Sequence, residues 1–336
     1  MIKIALALAY LILTGATLQA GSLDDLKAAK AAAEGGKADE AVRLFTQSLR
    51  AGDLSPADRI AARKGRGSEY TSQSLIADAF VRLDQARTLR DSAIADFTNA
   101  IDAKTDDASL FVARGEAYHL NGQYDAAVAD FDAALKLGDN ANILMQRAIS
   151  QRSKGDTDGA VAGLTAVLAM DAKETGLDKA EIHNERGYTL FLAARYDAAA
   201  ADFDKALTLG SAAHTGDVLW LPYQAAWLHI ARTRAGQNDS DELTRNAANI
   251  DLKQWPGTLI AYYLGQLKLN ELSPPSSHGS MGRGRECNLS FFTAQQSLIK
   301  NDAADAARLF QKARAACNIH ALIYLAAGVE LKRLAK

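Results

Sequence analysis

Residues Asp107–Asp139 read DASLFVARGEAYHLNGQYDAAVADFDAALKLGD. Apolar residues recur at helical spacing on both sides of Asn121-Gly122, which predicts two short amphipathic helices around one tight turn. Numbered from Ala108 as position 1, Phe111 falls at 4, Gly115 at 8, Tyr118 at 11, Gly122 at 15, Ala127 at 20, Phe131 at 24 and Ala134 at 27. Small residues at 8, 20 and 27 let two helix backbones approach closely, and the large residue at 24 fills the gap between them.

The pattern resembles the tetratricopeptide repeat (TPR), whose period is about 34 residues. The resemblance implies an all-α fold, a right-handed solenoid of antiparallel helix pairs. One hairpin cannot bury its own apolar face, so neighbours stack. Leu23–Arg50 repeats the pattern with Ala41, Phe45 and Ser48 at 20, 24 and 27. A fourth repeat, about Ala141 to Met170, keeps Leu144, Ala148, Gly155, Ala160 and Leu164, and a fifth, about Ala180 to Leu209, carries Gly187, Tyr196, Ala199, Phe203 and Ala206. Residues 21–215 therefore read as a solenoid of about five repeats, irregular at 56–103. In that irregular stretch Gly67 and Tyr70 fit positions 8 and 11, while both Ala79/Leu83/Ala86 and Ala93/Phe97/Ala100 fit 20, 24 and 27. Either an insertion around Thr71–Arg87 separates the two helices of one repeat, or an extra helix is wedged in. The spacing favours the insertion.

Residues 216–271 read as divergent helical repeats, and Leu272–Glu286 (LSPPSSHGSMGRGRE) as a flexible segment. A last repeat covers Cys287–Cys317, with Ala294, Ala306, Phe310 and Ala313 at 8, 20, 24 and 27. The chain ends in an amphipathic helix with Lys and Arg in its last turn, the pattern of a capping helix. Residues 287–336 thus read as one repeat plus a cap.

With 48% hydrophobic and 23% charged residues, the chain has enough apolar side chains for a large core. Its net charge of −2 and the absence of a basic tract give no footprint for nucleic acid. Residues 1–20, MIKIALALAYLILTGATLQA, place Lys3 before the apolar run Ile4–Leu13 and end in small residues. The run is shorter than the roughly 20 residues of a spanning helix and matches a cleaved secretory signal. No cysteine stands near the cleavage region to carry a lipid. The expectation is an exported, periplasmic or secreted chain without a stable membrane anchor.

The C-terminal third resembles the NlpI-type envelope TPR lipoproteins. The residues that carry this are Ala226-Trp227-Leu228, Trp255 with Tyr263-Leu264-Gly265, the Phe310 repeat, and Tyr324 with Glu330-Leu331. These are mostly packing positions. The resemblance implies a scaffold in the cell envelope, although this chain lacks that family's lipidation cysteine.

Cys287 at position 1 and Cys317 at position 31 face each other across the open end of their hairpin, where an exported chain would form a disulfide. The rival is a zinc site using Cys317-x-x-His320 with His278, which would need four ligands in fixed geometry. The run Gly279–Gly284 (GSMGRG) lacks the flanking strand and the GK[ST] of a phosphate cradle, and neither HExxH nor GxSxG occurs. No residue pattern calls for a cofactor or for catalysis. Asp130/Asp132 and Asp202/Asp204 recur at equivalent positions and read as a solvated face.

In TPR solenoids the concave groove is lined by first helices at positions 2, 5, 9, 12 and 13. The resemblance places Glu116, His119, Met145, Ile149, Arg152, Glu181, Asn184, Tyr188 and Phe191 there. The carboxylate clamp of cochaperone TPR domains, Lys at 5 and Asn at 9, is replaced by Val112/Glu116, Met145/Ile149 and Asn184/Tyr188. What remains is an apolar patch with a charged rim, suited to an amphipathic helix or an extended peptide. The leading expectation is a non-enzymatic adaptor for a protein or peptide partner. The alternative is a homodimer through the alanine-rich face of Leu26–Ala33.

Overall fold

The computed structural model describes residues 21–103, 106–138, 140–170, 176–213, 220–272 and 280–336. Residues 1–20, where the sequence predicts a signal, and residues 273–279 of the Pro/Gly/Ser-rich segment lie outside them. The chain folds as a tetratricopeptide-like solenoid of sixteen α-helices, without a strand among the described residues.

Five hairpins come first: α1 (Ser22–Glu34) with α2 (Ala38–Ala51), α3 (Pro56–Ala79) with α4 (Leu83–Ile101), α5 (Ala108–Leu120) with α6 (Tyr124–Leu137), α7 (Ala141–Lys154) with α8 (Thr157–Ala169), and α9 (Lys179–Leu192) with α10 (Tyr196–Ala213). Then come α11 (Trp220–Arg234) and the short α12 (Ser240–Ala247) and α13 (Gly257–Tyr263). A last hairpin pairs α14 (Ser280–Ile299) with α15 (Ala303–Ala316), and α16 (Leu322–Leu334) closes the chain. Residues 280–286, assigned by composition to the flexible segment, are the opening turns of α14.

The small-large code sets the spacing within each hairpin. Phe45, Phe97, Phe131, Phe203 and Phe310 are all buried at position 24. A Cβ placed on Gly67, Gly115 or Gly187 would stand 2.8, 3.1 or 2.7 Å from the ring of Phe97, Phe131 or Phe203. Only hydrogen fits at position 8 there without displacement of the ring.

The insertion reading of 56–103 resolves into one elongated hairpin. Gly67 meets Phe97, thirty residues on, whereas Gly115 meets Phe131, sixteen residues on. The added residues give about two extra turns to each helix, and the tip projects with Phe80 and Val81 exposed. Val81 occupies the left-handed region, φ 60°, where Gly122 sits in the next hairpin. A β-branched residue is strained there.

A second code ties the hairpins together. Arg66, Arg114 and Arg186, each one residue before the position-8 glycine, make bidentate contacts of 2.7–2.8 Å to Asp96, Asp130 and Asp202. Each guanidinium also donates to a threonine of the preceding hairpin, Thr46, Thr98 or Thr165, at 3.0, 3.1 and 3.0 Å. This corrects the reading of the acidic pairs. Asp130 and Asp202 are buried ion-pair partners, while Asp132 is half-buried against Arg147 and Asp204 alone is exposed.

Candidate functional site

The first helices α5, α7 and α9 carry the positions assigned to the concave groove. They do not present an open trough. The C-terminal segment returns across this face, so the superhelix partly encloses its own end. Arg333 donates to the carbonyl oxygen of Leu192 at the end of α9, and also to the hydroxyl of Tyr196 at 3.4 Å. Glu330, 2% exposed, accepts from Arg333 at 2.8 Å and from Arg234 of α11 at 3.3 Å. Ala326 and Ala327 of α16 are buried in the core that includes Trp227, Phe291 and Phe310. The closing helix is therefore held inside the molecule on one side, which its terminal position and basic last turn did not predict.

The assigned groove residues divide accordingly. Phe191 is 1% exposed, with its ring edge-on to Trp227 at 5.3 Å and Tyr196 at 5.2 Å. It is core, because α11 packs directly over the end of α9. Met145, Asn184 and Arg152 are also buried. Glu181 is exposed, and Glu116, His119, Ile149 and Tyr188 are half-buried. Desolvation raises the Glu116 and Glu181 carboxyls above their ordinary value, in Glu181 with help from neighbouring Glu185 and Asp178.

Among the described residues, two openings on this face are relevant. The first is a cavity of about 270 Å³ between α5–α7 and the C-terminal arm. His119, Ile149 and Arg152 of the predicted set line it, facing Arg314, His320 and Tyr324. His119 hydrogen-bonds Ser150 through Nδ1 at 2.8 Å. Burial, then the charges of His320 and Arg152, push its pKa down to about 4. Arg152 donates to Glu185 Oε2 at 2.5 Å, and its Nε has no partner among the described atoms. The second opening is a groove of about 510 Å³ on the far side of residues 321–323. Tyr188, Tyr223, Trp220 and Gln224 line it, with Glu185 and Asn288 at its polar side. The Tyr188 ring packs on Phe203 and Trp227 at 5.3 and 5.1 Å, and its hydroxyl accepts from Gln224 Nε2 at 3.3 Å. Desolvation raises the Tyr188 phenol to about 12, so it remains a neutral donor and acceptor. Trp220, Tyr223 and Gln224 were not assigned from sequence, because the repeat register is lost in the residues around them.

Cys287 and Cys317 form a disulfide with their Cα atoms 4.8 Å apart. The zinc alternative falls with it, because neither sulfur is left as a thiolate. His320 is turned instead toward Asp78, at 3.1 Å. Among the described residues no cluster of His, Cys, Asp and Glu is arranged to hold a metal ion. Among the same residues no helix is long and apolar enough to cross a membrane.

A tetratricopeptide-repeat family model matches residues 77–142 and 145–214. A TPR protein from Parabacteroides merdae is similar in structure: TM-score 0.56 and 13% identity, covering 92% of this chain and 98% of that one. The C-terminal part of a TPR-containing protein from Cytophaga hutchinsonii gives 0.51 and 13% over 86% and 94%. The apo form of RapI gives 0.50 and 12% over 88% and 97%. At such identities the likeness speaks for the fold alone. No curated protein matches the chain.

Proposed function

For a chain that carries tetratricopeptide repeats, we propose the role of a non-enzymatic adaptor that docks an extended segment of a protein partner on its concave side. The observation that carries this reading is the groove beside Tyr188. Its aromatic lining, Tyr188, Trp220 and Tyr223, offers apolar area at low entropic cost. Gln224 lines the same groove and bonds the Tyr188 hydroxyl through Nε2, which fixes the polar edge beside the aromatic rings. Concave solenoid surfaces serve such extended binding generally. Residues 1–20 support export, and the NlpI-type features of the C-terminal third support a scaffold in the cell envelope.

The test is affinity purification from the compartment that holds the mature chain, comparing the parent with Tyr188→Ala and with Asn288→Arg. The first removes an aromatic anchor, and the second fills the groove from a half-exposed position. Partners that disappear with both variants, each folded by circular dichroism, support the groove. Full retention with both would sink it. Of the face that motivates the alternative, a homodimer, Leu26, Ala29 and Ala32 are buried in a core shared by α1, α2 and α3, while Ala28 and Ala31 are exposed.

A further inference from the structure

The cavity between α5–α7 and the C-terminal arm goes beyond the adaptor reading and does not depend on it. Its wall holds Arg152, Arg314 and Lys332 as cations, His119 and His320 as imidazoles, and no carboxylate. Two neighbouring carboxylates are already paired, one of them with Arg152 itself. Glu185 accepts from Arg152 at 2.5 Å, and Asp78 accepts from Arg90 at 2.6 Å while touching His320. Arg314 lies over the Tyr324 ring at 4.4 Å and donates to its hydroxyl at 2.6 Å, with no ion pair among the described residues. Lys332 makes none either. Arg152 is 7% exposed, and its Nε is a buried donor without an acceptor. A buried donor of this kind costs stability until an acceptor reaches it. The remaining wall is apolar: Ile149, Ile319, Leu322, Leu325 and Val329.

We propose that this cavity is a binding site for a small organic monocarboxylate with a short aliphatic tail, held with its carboxylate toward Arg152, Arg314 and Lys332 and its tail against Ile149, Leu325 and Val329. The cationic rim of Arg314 and Lys332, with Arg152 in the wall beside it, selects the anion. The apolar side favours a hydrocarbon tail over inorganic phosphate. The volume of about 270 Å³ corresponds to roughly nine water molecules at liquid density, which suits a six-carbon acid. Because its walls come from both the repeats and the C-terminal arm, the ligand bridges the two.

Calorimetric titration of the full chain with hexanoate, and with hexanamide as its neutral isostere, tests the site. Hexanoate is expected to saturate and to bind at least about tenfold more tightly than hexanamide. Arg314→Gln/Lys332→Gln, two exposed side chains whose loss spares the core, is expected to weaken hexanoate at least about tenfold. In NMR titrations the ring signals of His119 and His320 are expected to move. The proposal is overturned if hexanamide binds as tightly, if the double variant binds hexanoate as the parent does, if the shifts fall on other residues, or if nothing saturates by about 10 mM.

Discussion

Asp78 Oδ2 lies 3.1 Å from His320 Nε2, and the same oxygen accepts a 2.6 Å hydrogen bond from Arg90 Nη1. This contact joins the elongated second hairpin to the C-terminal arm at the opposite end of the chain. It is reached because α3 and α4 run about two turns farther beyond the Gly67–Phe97 contact than α5 and α6 run beyond Gly115–Phe131, which carries Asp78 toward the C-terminal arm. Arg283 of α14 adds a second contact there, donating to the carbonyl oxygen of Ala79 at 3.2 Å. The insertion thus has a structural consequence: it closes the concave face over α16.

Removing the two ends of this contact should have unequal effects. Asp78→Ala leaves Arg90, 4% exposed, as a buried cation without its partner, and should cost about 3–5 kcal/mol. His320→Ala leaves the Arg90–Asp78 pair intact and should cost less than about 2 kcal/mol. Its signature should be faster amide exchange in residues 318–334, with protection in α5–α10 unchanged. Hydrogen exchange by mass spectrometry checks both. Uniform loss of protection in His320→Ala would show that the arm and the repeats unfold as one unit.

The buried latches make a sharper stability prediction than the exposed ion pairs. Asp130 is 6% exposed and receives two N–H bonds from Arg114. Asp130→Asn keeps the shape and removes the charge, and should cost about 2–3 kcal/mol. Asp132→Asn, two residues on, breaks a partly exposed pair with Arg147 and should cost less than about 1 kcal/mol. Urea denaturation of both variants decides whether the solvated-face reading or the latch reading of these aspartates holds.

The two codes differ in how far they could be read from the sequence. Glycine at 8 against phenylalanine at 24 is a local signal, because both members lie in one hairpin and repeat. The Arg–Asp–Thr latch left an equally regular trace, Arg66/Asp96, Arg114/Asp130 and Arg186/Asp202. Reading Asp130 and Asp202 with the next acidic residue along the helix, and not with the arginine on the facing helix, passes over it. Enclosure of the groove left no such trace. It depends on the accumulated superhelical rotation that brings Asp78 to His320 and Leu192 to Arg333, and no short window of sequence encodes that. Phe191 was misplaced for the same reason: its position faces a groove only where no later helix covers it.

The glycines at position 8 should rank by clearance. A methyl group at Gly187 would meet Phe203 at 2.7 Å, while one at Gly115 would meet Phe131 at 3.1 Å. Gly187→Ala should therefore destabilise more than Gly115→Ala. Both should fall within about 1–3 kcal/mol, less whatever helix propensity alanine returns. Thermal unfolding of the two variants gives the order directly, and a reversed order would mean that the Phe203 ring yields more readily than its packing implies.

Stability should fall in mild acid, and His119 is the main cause. Its pKa is about 4 in the folded chain against an ordinary 6.5, through burial first and the charges of His320 and Arg152 second. The unfolded chain therefore takes up a proton near pH 6.5 that the folded chain refuses. The histidine has no effect above that range, lowers stability as the pH drops through it, and levels off below about 4. At pH 5.5 the loss from His119 alone should be about 1–1.5 kcal/mol. His320 acts in the same direction: burial lowers its pKa, Asp78 opposes that, and Arg90 adds to it. Glu116 and Glu181, whose carboxyls are raised by burial, act oppositely. Replacing His119 isolates its own share of the slope between about pH 6.5 and 5. Urea denaturation across it should slope downward for the parent and more gently for His119→Gln, which keeps a polar group beside Ser150 without the titration. Equal slopes would move the acid sensitivity away from this cavity.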